Sequence, residues 1–451
     1  MTEGNVARHL FDFALPLLIG NVFQQFYNTV DTWVVGNYVS NEAFSAVGTV
    51  TPIVNMLIGA FLGLSSGAGV VISQYYGAKQ YDKVRSAVHT AVVMTLALGV
   101  AFTALGIWMT PAMLRFMKTP AEVFPESSAY LTIYFGGMMG LMVYNMGSGI
   151  LRAVGDSNRP FYFLVVSAVL NIVLDLVFVI VLHMGVSGVA YATIIAQGVS
   201  ALLVLTTLLR SDTCVRLEPR RLRMDWGMLL KIVGIGIPAA MQLAITSFSN
   251  VFVQSYINHF GANCMSGWTA YTKIDQFIFL PMQSLALAAT TFVGQNLGIN
   301  RVDRAREGTR TAFAMSVLIT IVILVPVVIF APHLVAFFNQ TPQVITYGTL
   351  LLRYLSPFYV LCCVNQVYSG ALRGAGNSRT PMLIMLFSFV LFRQCYLYIM
   401  SHFISNEVLP IAMGYPAGWA VCSALTFFYY KNAALTKSRV VEAPASPETS
   451  P

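Results

Sequence analysis

Charge is what this chain has little of. Only 10% of its 451 residues are Asp, Glu, Lys or Arg, against roughly 25% in soluble globular proteins, while 57% are hydrophobic and the mean hydropathy is +0.69. So much apolar surface excludes a soluble globular protein and makes hydrocarbon the solvent of the outer face. No GxxxxGK[ST] occurs, which excludes ATP hydrolysis of the P-loop kind. The six cysteines form no CxxC and no Cys/His metal spacing, which argues against a disulfide framework or a zinc site. The six histidines (His9, His89, His183, His259, His333, His402) are scattered, so no catalytic constellation is legible and no enzyme is expected. The net charge of +8 is spread through short loops between apolar runs, where it governs membrane orientation; no nucleic-acid partner is expected.

What the chain does have is apolar runs long enough for a bilayer, which takes roughly 20 helical residues. They predict twelve spans, near 10–35, 47–77, 86–109, 127–151, 160–182, 186–209, 228–258, 264–297, 308–331, 344–371, 381–402 and 408–430. "MTEGNVARHL" leads into an apolar stretch interrupted by Asp12 and Pro16 and lacks a small-residue cleavage site, so the first span is expected to stay in the mature protein. With the N-terminus, alternate loops and the C-terminus on one side, 21 of the 26 Lys and Arg fall there. Two (Arg115, Lys118) fall opposite and three (Lys273, Arg353, Arg393) inside spans. The positive-inside rule then makes both termini cytoplasmic in a multi-pass protein of the cytoplasmic (plasma) membrane.

Two short passages are written twice. "GILRAVGDSNRP" at Gly149 returns as "GALRGAGNSRTP" at Gly370, and "QYYGAKQYDKVR" at Gln74 returns as "QNLGINRVDRAR" at Gln295, both at an offset of 221 in the numbering. Six spans separate the copies, and an even number keeps both halves in the same orientation: a parallel repeat about an axis along the membrane normal. The expected fold is therefore an all-α membrane protein with two six-helix bundles. The expected divisions are an N-terminal lobe over 1–209, a charged cytoplasmic linker over 210–227, a C-terminal lobe over 228–430 and a disordered tail over 431–451. Gly155 and Gly376 permit a sharp bend after one helix, Pro160 and Pro381 suit the first turn of the next, and Arg152 and Arg373 are placed to bond the last carbonyls. Gly59, Gly63 and Gly67 make two GxxxG steps, a pattern for close helix packing.

An ionisable residue inside a span costs about 2.5–3.5 kcal/mol on insertion scales, so it needs a partner or a cavity. Asp31, Asp175 and Asp275 are the acidic ones. On span one, Gln24, Asn28 and Asp31 line one helical face, and on span five Asn171 and Asp175 are one turn apart. At 1.5 Å per residue Asp31 lies roughly 8 Å, and Asp175 and Thr193 roughly 10 Å, from the outer ends of their spans. These oxygens share one level and suit either a hard cation or a proton held between two carboxylates. Pro16, on the helix of Asp31, removes a backbone donor and makes a hinge candidate.

The passages "ALPLLIGNVFQQFYNTVDTWVVG", "GILRAVGDSNRP", "LNIVLDLVFV", "TFVGQNLG" and "GALRGAGNSRTP" resemble the multidrug and toxic compound extrusion (MATE) family over about residues 10 to 430. The resemblance implies a twelve-helix secondary transporter that exports organic, often cationic, compounds in exchange for sodium ions or protons. It carries the cation-site residues of the DinF-type branch onto Asp31, Asn171, Asp175 and Thr193, with sodium as the metal if sodium is the coupling ion. No cofactor is expected beyond that ion, and a small-molecule substrate, the lipid bilayer and work as a monomer are.

The second lobe is expected to differ. At an offset of 221, Asn171 and Asp175 correspond to Phe392 and Tyr396, and at 222 Asp31 corresponds to Val253, so coupling is expected through the first lobe alone. Lys273, Arg353 and Arg393 instead form a cationic layer. They either extend outward to the interface or form a site for an anionic cargo, which would point to a flippase or exporter of a lipid-linked substrate. Trp268, Tyr271, Gln276 and Gln283, at similar depth, are candidate cavity lining.

Overall fold

The computed structural model describes residues 1–39, 41–117 and 119–441; Lys118 and the end of the predicted tail, 442–451, lie outside the described residues. The first half carries α1 (Val6–Tyr38), α2 (Asn41–Gly77), α3 (Tyr81–Phe116), α4 (Phe124–Gly136), α5 (Met138–Ala153), α6 (Asn158–Leu176) and α7 (Gly185–Leu209). The second carries α8 (Trp226–Asn258), α9 (Ala262–Gly298), α10 (Val302–Ile329), α11 (Ala331–Phe338), α12 (Pro342–Leu355), α13 (Tyr359–Gly374), α14 (Arg379–Met385), α15 (Arg393–Ile399), α16 (Val408–Ala412) and α17 (Gly414–Asn432). No strand occurs among the described residues, as a bilayer demands of segments that must satisfy their own backbone groups.

Among the described residues, eleven helical stretches are long and apolar enough to cross a membrane. The remaining predicted span, 127–151, is α4 and α5, which meet at Gly137. That glycine lets α7 come close: a Cβ there would lie 2.3 Å from the Ile194 side chain. Of the GxxxG glycines, Gly67 lies at such a close crossing: a Cβ on it would lie 2.4 Å from the Ile232 carbonyl oxygen, and one on Gly236 would lie 3.0 Å from Leu64 Cα.

Two compact units divide the chain differently from the composition of its loops. One holds Pro16–Ile237, the other Met1–Leu15 with Pro238–Pro451. Both cuts fall at prolines inside helices, Pro16 in α1 and Pro238 in α8, which match at an offset of 222 in the numbering. The linker expected over 210–227 belongs to the Pro16–Ile237 unit. There Glu218 donates its backbone N–H to His89 Nε2 (3.2 Å), Asp225 donates its own to Thr90 (3.1 Å), and Ser86 donates to the Asp225 carboxylate (3.0 Å). The backbone N–H of Met228, with this hydroxyl and the Gly227 N–H, holds the Asp225 carboxyl below the usual range. Of the stretch expected as a disordered tail, 431–441 is placed: Leu435 is buried against Tyr430 and Tyr368, and Arg439 bonds the Asn300 side chain at 3.1 Å.

The repeat is written in backbone geometry. Gly155 (φ +97°) and Gly376 (φ +95°) both take the left-handed conformation. The Gly155 N–H donates to Arg152 O and that of Asp156 to Leu151 O; Gly376 and Asn377 do the same to Arg373 and Leu372, a Schellman close in both copies. Asp156 and Asn377 then accept the backbone N–H of Arg159 and Thr380, each at 3.1 Å. Lys79 (φ +58°) and Asn300 (φ +59°) repeat the device in the other matched loop. At Arg373, one of the two arginines expected at the helix ends, Nε is buried without a partner among the described residues.

One register changes. The buried stripe of α6 (Pro160, Ser167, Ala168) returns at the first offset, 221, as Pro381, Ser388 and Phe389, but its next members, Asn171 and Asp175, return at 222 as Arg393 and Leu397. The extra residue sits in a π-helical stretch, Leu386–Phe392, as single-residue insertions into helices do. The sequence pairing of Asn171 and Asp175 with Phe392 and Tyr396 is thereby corrected.

Candidate cation and proton site

Four of the residues singled out in the sequence lie in the Pro16–Ile237 unit on three helices: Asp31 on α1, Asn171 and Asp175 on α6, and Thr193 on α7. Alpha-helical spacing puts Asn171 and Asp175 on the one stripe of α6 that is buried, and α6 packs along α7. Asp175 is fully enclosed, Asn171 is 2% exposed and Thr193 7%.

Asp31 and Asp175 meet side chain to side chain, within hydrogen-bonding reach. Two ionised carboxylates have only acceptors, and indeed both Asp175 oxygens and Oδ1 of Asp31 find no donor among the described residues. Both amide atoms of Asn171 are likewise buried without a partner there. Thr193 Oγ1 spends its proton on the Val189 carbonyl at 2.9 Å, which leaves its lone pairs for a ligand. A buried polar set of this kind is costly unless something completes it. A proton shared by the carboxyl pair, or a hard cation taking carboxylate, amide and hydroxyl oxygens, supplies what the protein groups lack.

Tyrosines surround the pair, and sequence reasoning misses them. Tyr27, Tyr130 and Tyr134 lie within electrostatic reach of Asp31, and Tyr130 also of Asp175. Tyr130 and Tyr134 stack with ring centroids 6.3 Å apart, Gln197 bonds Tyr134, and Gln24 bonds Tyr27. A signal does exist: Tyr27 is four residues before Asp31, and Tyr130 and Tyr134 are four apart, both same-face spacings. Asn28 on the stripe of α1 is exposed, and α1 runs unbroken through Pro16.

The second-lobe candidates differ in burial. Trp268 and Tyr271 are buried in an aromatic core, 5.2 Å apart and with Tyr415 5.4 Å from Trp268, so they pack rather than line open space. Lys273, Gln276, Gln283 and Arg353 are exposed, whereas Arg393 is enclosed. Asp275 turns away from Lys273 and accepts a hydrogen bond from Tyr359, whose hydroxyl lies 3.1 Å from that of Tyr271.

The MatE family model matches residues 16–177 and again residues 238–399. The chain belongs to the MATE family. Each match begins at one of the two helix prolines at which the compact units of this MATE protein also divide. Among its relatives, the probable multidrug resistance protein YoeA of Bacillus subtilis is 30% identical over 441 residues, 95% of this chain and 94% of the relative. YpnP of the same organism, also a probable multidrug resistance protein, is 29% identical over 95% of this chain and 96% of its own. Among solved structures, a MOP-superfamily transporter from Pyrococcus furiosus, described as having a binding pocket of reversed polarity, superimposes with a TM-score of 0.90 at 25% identity. It covers 95% of this chain and 96% of its own. An outward-facing multidrug resistance MATE transporter matches equally, with a TM-score of 0.90 and 25% identity over the same shares. This MATE chain is thus a multi-pass membrane transporter by family and fold.

Proposed function

We propose that this protein is a secondary active antiporter of the DinF-type branch, exporting organic, multidrug-type and cationic compounds across the cytoplasmic membrane in exchange for sodium ions or protons. One observation carries the reading: two buried carboxyl groups, Asp31 and Asp175, meet side chain to side chain, and no donor among the described residues reaches either Asp175 oxygen or Oδ1 of Asp31. In a low-dielectric interior two adjacent carboxylates do not both stay charged without a counter-ion, so a proton or cation binds and leaves as the site changes exposure. Asn171 and Thr193 add neutral oxygens to that site.

Occupancy favours one conformation by its differential affinity, and the protein alternates access to the cargo between the two sides of the membrane. Pro16 lies on the helix of Asp31 and lacks the N–H that would stiffen it, which supports a bend there as the element that responds. One ion falling through about 100 mV releases about 2.3 kcal/mol, enough for a roughly 50-fold cargo gradient. The protein works as a monomer with both termini in the cytoplasm.

Dye efflux from proteoliposomes under separate sodium and proton gradients tests the reading. Asp31→Asn and Asp175→Asn should each abolish uphill efflux under the gradient that drives the unaltered chain. Full-rate pumping by both would overturn it. The other reading, a flippase or exporter of an anionic or lipid-linked substrate, predicts transfer of such a lipid with no dye efflux.

A further inference from the structure

We propose that Arg393 is a tethered cation: its guanidinium permanently fills, in the second lobe, the place at which the first lobe takes up its exchangeable one. The inference rests on reading Asp31 and Asp175 as that exchangeable site, but its test below is read without transport.

The repeat sets the correspondence. At the offset of 222 that holds from Pro16 and Pro238 and resumes after the π-helical stretch, Asn28 corresponds to Asn250, Asp31 to Val253, Asn171 to Arg393 and Asp175 to Leu397. Both acidic positions have become aliphatic and are fully buried, and at the position of the amide ligand stands an arginine only 1% exposed. The loss of two anions and the gain of one cation fall at positions that the repeat matches to the first lobe's site.

The contacts of Arg393 are those of a bound cation. Its Nε donates to Ser249 Oγ at 3.0 Å, and an Nη donates to Asn250 Oδ1 at 3.0 Å and to the same serine. The guanidinium carbon lies 4.7 Å from the Tyr415 ring centroid and 5.1 Å from that of Phe389. Among the described residues no carboxylate pairs with it, and Asp275 is engaged with Tyr359 instead. Neutral oxygens and aromatic faces suit a weakly hydrated, delocalised cation that never loses its proton. The guanidinium joins α8, α15 and α17 at one point. Because it cannot leave, the second lobe stays in the state that the first reaches only when loaded, and one site per cycle does the exchanging.

Chemical rescue tests this on the full-length protein in detergent. Arg393→Ala leaves a guanidinium-sized gap and should lower Tm by several degrees. Millimolar guanidinium or methylguanidinium should restore most of that loss, while urea at the same concentration should not. Arg393→Met, which fills the space without charge, should stay destabilised and show no rescue. The same rescue in an Asp31→Asn, Arg393→Ala background separates the lobes: it should persist whatever becomes of coupling. Failure of guanidinium to restore Tm, or an Arg393→Met protein melting like the unaltered chain, would make Arg393 mere packing. Should Arg393→Ala not fold, Arg393→Lys should melt above Arg393→Met, and the reverse order would overturn the proposal.

Discussion

Where the first lobe sets Asp31 against Asp175, the second has Val253 and Leu397, and where the first has Asn171 the second has Arg393. Elsewhere the lobes agree closely. Gly149 packs on Ser65 and its repeat partner Gly370 on Ala286, the repeat partner of Ser65, and both connecting turns close on a left-handed glycine. A duplicated bundle therefore keeps what its backbone needs and frees what its side chains do. Helix crossings and turns tolerate few residues, whereas a buried polar position accepts any set that balances its own charge and hydrogen bonds.

The sharpest way to break the contrast is to move the second lobe's device into the first. Asn171→Arg places a fixed cation beside Asp31 and Asp175, and uphill dye efflux should fall to passive leak while the protein still folds by circular dichroism. Retained ion-driven efflux would mean the two positions are not equivalent. Thr193→Val removes one neutral oxygen, worth about 1 kcal/mol, and should raise the half-saturating concentration of the driving ion roughly 3–10-fold, with Thr193→Ser restoring it.

Packing predictions address the shared part. A Cβ on Gly370 would meet the Ala286 carbonyl oxygen at 2.5 Å, whereas one on Gly149 would meet the Ser65 hydroxyl at 2.2 Å, a side-chain atom that can turn away by giving up its hydrogen bond to the Asn145 carbonyl. Gly370→Ala should thus cost about 1–3 kcal/mol, and more than Gly149→Ala, in thermal melts of the purified protein. Smallest, and equal in the two lobes, should be Gly155→Ala and Gly376→Ala, at about 1–2 kcal/mol each, since the strain is the same left-handed turn.

What is legible in the sequence follows from this division. The turns at Gly155 and Gly376 and the crossing at Gly67 can be read because local backbone geometry admits few residues there. Asp31 and Asp175 can be read because charge inside an apolar run is costly and so conspicuous. Tyr130 and Tyr134 do not stand out, because aromatic residues fill apolar spans for many reasons and only proximity in space ties them to Asp31. The cut between compact units is equally hidden: loop composition marks where the chain leaves the membrane, whereas Pro16 and Pro238 lie inside continuous helices. By sequence Arg393 falls into one layer with Lys273 and Arg353, because the pattern of apolar runs gives depth along a helix but not azimuth about it.

The stretch Leu386–Phe392 has a consequence for how such lobes diverge. One additional residue would by itself turn everything beyond it by about 100° about the helix axis, and the wider π-helical turn takes that rotation up, so the same face meets the same neighbours one number later. The second lobe's wider turn therefore hides no ligands of the first-lobe kind: neither Phe392 and Tyr396 nor Arg393 and Leu397 supply the amide and the carboxyl, and the two sockets differ in their side chains while the helix face that carries them is kept.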